Sequence, residues 1–76
     1  MHIAKQRART VLAVALNVPA DDIPDNAGIK SFPRWDSLGH VRVIMELEKA
    51  LGRTLQTEEI LSIADLDSIQ DIFDRA

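Results

Sequence analysis

All three prolines of this chain, Pro19, Pro24 and Pro33, fall between residues 19 and 33. On either side of that stretch apolar residues recur at the helical period, and inside it they do not. Proline lacks a backbone donor and pushes the residue before it out of the α region, so no helix runs through this segment. The chain therefore divides into an N-terminal helix, a long connection over residues 17–35, and a helical remainder. A structureless connection of that length in so small a domain is expected to be functional or tightly packed.

The 76 residues allow one domain, and the absence of cysteine removes disulfides and Cys-based zinc as staples. Stability must come from packed Leu, Ile, Val and Ala, with Phe32, Trp35 and Phe73 the only aromatics. The first helix is expected over residues 3–16, with Ala4, Ala8, Val11, Leu12, Ala15 and Leu16 on one arc and Gln6, Arg9 and Thr10 opposite. Asn17-Val18-Pro19 ends it. Val18, Ile23, Ile29 and Phe32 are candidates to pin the long loop to the core, and the loop has room for a short helical turn.

The second helix is expected over 37–51, with Val43, Ile44, Leu47, Ala50 and Leu51 on the core arc and Gly52 as its stop. A second apolar set, Leu38, Val41 and Met45, lies on the other side of Ser37, more than one core contact requires. Thr57 is expected to cap a short third helix anchored by Ile60, Leu61 and Ile63, with Glu58 and Glu59 in its first turn. Asp65 then caps a last helix over 66–75, turning Leu66, Ile69, Ile72 and Phe73 inward. The expected fold is an all-α four-helix bundle with a very short third helix.

Residues 1–35 carry five basic and three acidic groups, whereas residues 36–76 carry four basic and nine acidic ones. The acidic half disfavours nucleic acid as a partner and favours proteins with basic docking surfaces. No apolar run spans a bilayer and no signal-peptide core follows Met1, so a cytoplasmic location is expected. Asp21, Asp22 and Asp25 do not fit an EF-hand register, with Pro24 inside the run, and no metal site is expected.

Chemistry concentrates at Trp35-Asp36-Ser37-Leu38-Gly39-His40, where the loop meets the second helix. Asp36 alone is an ordinary helix cap. Ser37, however, places a hydroxyl at a helix N-terminus, where unpaired N–H groups and the macrodipole favour a phosphate. A nucleophile elbow would need glycine where Trp35 stands, and His40, three positions along the same helix, is poorly placed as a base. No catalytic residue is expected. His40 is expected to pack or hydrogen-bond locally.

Asp36-Ser37-Leu38 after a long loop, in an acidic all-helical chain with a short third helix, resembles the acyl carrier proteins and their aminoacyl and peptidyl carrier relatives. The likeness covers nearly the whole chain, 1–76, as a single carrier domain of the acyl-carrier type. It implies that Ser37 bears 4′-phosphopantetheine, placed there by a phosphopantetheinyl transferase, with cargo held as a thioester on the arm. The chain itself would catalyse nothing. Cargo would come from an acyl- or aminoacyl-activating ligase or a synthase, and neither membrane nor nucleic acid would take part. The domain would be a freestanding monomer.

By position the resemblance gives Asp36, Leu38, Val41, Arg42, Met45 and Glu48 parts in partner docking. Arg42 and Lys49 depart from the pattern, standing where carriers of fatty-acid synthesis typically bear acids. That mixed charge points toward a specialised biosynthetic pathway. The alternative is a small helical protein-interaction module without a prosthetic group, in which Leu38, Val41 and Met45 dock a partner and Ser37 is dispensable.

Overall fold

The computed structural model describes residues 5–75, and Met1–Ala4 and Ala76 lie outside it. It is all-α: α1 (Gln6–Leu16), a single 3₁₀ turn (Ala20–Asp22), α2 (Ser37–Leu51), α3 (Thr57–Ser62) and α4 (Leu66–Arg75). α1 packs against both α2 and α4. Its inward face is Ala8, Val11, Leu12, Ala15 and Leu16, all buried, as the periodicity requires. The helix begins later than expected, at Gln6 after Lys5 in a left-handed conformation; residues 3 and 4 lie outside the described range. Asn17, at φ 56°, closes it, and the Val18 N–H bonds back to the Ala13 carbonyl at 3.1 Å.

The connection from 17 to 36 is folded onto the helices. Ile23 and Ala27 are buried, and Val18, Ile29 and Phe32 pack half-buried against the core. An isolated antiparallel bridge joins Gly28 to Asp65: the Ile29 N–H donates to Ala64 O at 2.8 Å and the Leu66 N–H to Ala27 O at 3.2 Å. Arg9, which periodicity alone turns toward solvent, instead reaches across to the Ile23 carbonyl and the Asp25 carboxylate. Its guanidinium thereby pairs the Ile23 carbonyl, to which no backbone N–H among the described residues donates. Trp35 ends the connection as the largest fully buried side chain among the described residues.

α2 keeps its expected bounds, and Gly52 at φ 75° supplies the left-handed stop. Val43 and Leu47 are buried, while Ile44 and Leu51 are half-buried. Ala50, placed on the core arc by sequence, is exposed. α3 starts one residue differently from expectation: Gln56, not Thr57, is the cap, because the Glu59 carboxylate accepts the Gln56 N–H at 2.9 Å. Leu61 does not anchor this helix. It is 80% exposed, since a helix of six residues has one inward face and Ile60 and Ile63 fill it. α4 follows expectation: Asp65 Oδ1 accepts the Ser68 N–H at 2.8 Å, and Leu66, Ile69, Ile72 and Phe73 are buried.

Arg53 grips both Glu59 oxygens, at 2.9 and 2.8 Å. The Arg53 guanidinium, followed by the Gln56 N–H, draws the Glu59 carboxyl from 4.5 down to about 2. A depressed carboxyl contributes stability above its unfolded value, and that contribution disappears as pH falls toward the folded one. The wild type should therefore melt above Glu59→Gln at pH 5, and the gap should close between pH 4.5 and 2. Melting curves that stay parallel over that window would show that the Arg53–Glu59 pair contributes nothing.

Candidate functional site at the start of helix α2

Four hydrogen bonds fix the corner where the loop becomes α2. The Trp35 indole N–H donates to His40 Nδ1 at 3.0 Å, with the rings stacked at 6.2 Å and 27°. Asp36 Oδ1 accepts the Gly39 N–H at 2.8 Å, and the Asp36 carbonyl accepts the His40 N–H at 2.8 Å. The Arg34 guanidinium donates to Leu16 O at 3.2 Å, tying the corner to the end of α1. Loop, cap and first turn are thus joined to the core on three sides.

Gly39 is buried where α2 packs against Leu16 of α1. A Cβ there would lie 2.7 Å from Leu16 Cδ2 and 2.9 Å from the Arg34 carbonyl. No side chain fits without moving the backbone. A glycine inside a helical pattern normally costs stability, so its presence was a legible sign of tight packing.

Ser37, the first residue of α2, is exposed. Among the described residues nothing hydrogen-bonds its hydroxyl, and the N–H groups of Ser37 and Leu38 have no acceptor. Of the first three N–H groups of the helix, the Asp36 carboxylate takes that of Gly39, and those of Ser37 and Leu38 remain available. His40 Nδ1 accepts from Trp35, so in the neutral ring Nε2 carries the proton and no ring lone pair is left to activate Ser37. The corner offers an exposed serine with two adjacent N–H donors.

The expected docking residues divide. Leu38, Val41 and Met45 are exposed, each more than half accessible, unlike the core face of the same helix. Arg42 is also exposed. Val14 on α1, which sequence reading did not single out, joins them: it lines one hollow together with Met45 and Arg42. Glu48 has another task. Half-buried, it accepts the Leu55 N–H at 2.7 Å and so holds the turn after α2.

No group of His, Asp or Glu among the described residues is arranged to hold a metal ion. No helix of the described residues is long and apolar enough to cross a membrane. No protein-family model matches the chain, and no curated protein matches it at a significant level.

Gly39→Ala tests the close approach with an unusual sign. Alanine is the better helix former by about 1 kcal/mol, yet overpacking should leave the variant less stable by roughly 1–3 kcal/mol in urea denaturation. Ser37→Ala, at an exposed hydroxyl, should stay within about 0.5 kcal/mol of wild type. A stabilised Gly39→Ala would show that α1 and α2 are not in contact at this point.

Proposed function

We propose that this chain is a carrier domain of the acyl-carrier type, modified on Ser37 with 4′-phosphopantetheine by a phosphopantetheinyl transferase. One observation carries the proposal: the Ser37 hydroxyl stands exposed on a helix start whose flanking residues, Trp35 and Gly39, are buried. A tethered group needs an accessible attachment atom on a fixed base, and both are here. The Ser37 oxygen would bond to the phosphorus that carries the pantetheine in coenzyme A, giving up its proton to the transferase as the pyrophosphate bond breaks and adenosine 3′,5′-bisphosphate leaves. The N–H groups of Ser37 and Leu38 supply donors for a phosphate at that point. Asp36 positions Ser37 through its cap and makes no covalent change.

The arm supplies a thiol on which cargo is held as a thioester. On a chain without cysteine, no side chain competes for that cargo. The chain's own residues perform no chemistry, consistent with His40 being committed to Trp35. Leu38, Val41 and Met45 give partner enzymes, among them an acyl- or aminoacyl-activating ligase or synthase, an apolar foothold beside the attachment point. Arg42 and Lys49 on the same helix favour a specialised pathway over fatty-acid synthesis.

Incubation with coenzyme A and a broad-specificity phosphopantetheinyl transferase should add one phosphopantetheine mass to the wild type and none to Ser37→Ala. A wild type of unchanged intact mass would overturn the proposal and leave the unmodified interaction module as the better account.

A further inference from the structure

The corner that holds Ser37 depends on the protonation state of one side chain. Trp35 is 1% exposed, and its only polar side-chain atom, the indole N–H, donates to His40 Nδ1 at 3.0 Å. Indole has a donor and no acceptor, so its partner must offer a lone pair. Neutral imidazole does so at Nδ1. Imidazolium carries N–H at both nitrogens, and two donors would then face each other.

The surroundings do little to favour the cation. Among the described residues no carboxylate pairs with the His40 ring. The charged groups of the loop, the cap and the chain around α3 are engaged elsewhere. Arg34 donates to Leu16 O, Asp36 accepts the Gly39 N–H, Glu59 holds Arg53, and Asp65 accepts the Ser68 N–H. Lys30 and Glu58 are exposed. Stacking on the indole offers an imidazolium little in return. The ring centroids are 6.2 Å apart, at the outer limit of cation–π reach, which is about 6 Å. The hydrogen bond decides the preference, and it requires neutral His40.

We propose that His40 is a positioning residue for the modification of Ser37 and makes that reaction pH-sensitive: neutral imidazole holds Trp35 and the corner, and protonation releases both. The proton binds at Nδ1 and displaces the indole N–H from its acceptor; no covalent bond other than N–H forms. A buried donor left without an acceptor is unfavourable, so the indole must turn toward water or the corner must open to admit it. Either movement shifts residues 35 and 36, and Ser37 follows them directly. Stability contributed by this bond is present while the imidazole is neutral and is lost as pH falls through its titration. Histidine titrates above the carboxylates, so this release is separate from the acid loss of the Arg53–Glu59 pair. The inference rests on the carrier reading for the reaction at Ser37, whereas the release of Trp35 belongs to the unmodified chain.

Trp35 is the sole tryptophan, so one indole cross-peak reports the bond. In ¹⁵N-labelled unmodified protein at neutral pH, long-range ¹⁵N–¹H correlations should show His40 with its proton on Nε2. Between about pH 7.5 and 5 the indole signal should move with the midpoint of the His40 ring. Over the same interval, amide protection of Gly39 and His40 should fall on the order of tenfold relative to Val43 and Leu47, as one orphaned buried donor implies. His40→Asn offers the indole an amide oxygen that does not titrate, and should abolish both changes while His2 stays in place. With coenzyme A and a broad-specificity phosphopantetheinyl transferase, the modification rate of wild type divided by that of His40→Asn should fall by a similar factor. The enzyme's own pH profile cancels in that ratio. An indole signal that does not follow the His40 midpoint would overturn the inference in the wild type alone, whether or not the variant folds. A rate ratio that stays constant with pH would overturn it too. Absence of modification at every pH would overturn the carrier reading and His40's part in it, leaving the indole titration to decide the release of Trp35.

Discussion

Burial of Trp35 is the constraint on which the rest of this small structure depends. The indole is 1% exposed and its N–H is satisfied by His40, so the end of a proline-rich loop is held both by apolar packing and by a directed hydrogen bond. Loss of such a buried aromatic typically costs about 3–5 kcal/mol. A domain of this size has roughly 4–11 kcal/mol of stability in all. Because Asp36 and Ser37 follow directly, the position of Trp35 sets where α2 begins. A fixed tryptophan on one side and a buried Gly39 on the other leave Ser37 at the surface.

The loop's other contacts serve the same end. Arg9, the Gly28–Asp65 bridge and the half-buried Ile29 and Phe32 bring the connection back across α1 and against the α3–α4 turn. Arg9 and the bridge pair backbone polar groups that no helix would otherwise satisfy, while Ile29 and Phe32 add apolar packing. The connection is long because it must cross the bundle and arrive at the end of α1, where Arg34 and Gly39 make contact with Leu16. Its length therefore reflects the path it takes and the corner it delivers.

Much of this was legible in residue order, and the exceptions have physical reasons. α4 and α2 could be read from period and caps because Asp65, Asp36 and Gly52 act locally, within one turn of their own positions. The cap of α3 was misplaced by one residue, since Thr57 is the better cap by preference but the reach of Glu59 to the Gln56 N–H decides the start. Leu61 and Ala50 were assigned to the core by period alone, which fixes an angle around a helix and not whether a neighbour stands there. Arg9, Arg34 and Val14 owe their roles to partners far along the chain, and Glu48 to the turn beyond its own helix, a kind of information that helical period does not carry. The charge count says nothing of where charges sit: most acids of the second half lie on α3, α4 and their connections, while the hollow beside Ser37 is lined by Arg34, Arg42 and Asp36 together.

Presentation of Ser37 from a rigid corner is the central physical claim, and native-state amide hydrogen exchange at the start of α2 tests it directly. The Gly39 and His40 amides, held by Asp36, should exchange only as slowly as the core amides of Val43 and Leu47, through whole-domain unfolding, while those of Ser37 and Leu38 exchange freely. Fast exchange at Gly39 and His40 together with protected Val43 and Leu47 would mean that the first turn frays on its own. The serine would then sit on a loose end, and the buried tryptophan would not be what positions it.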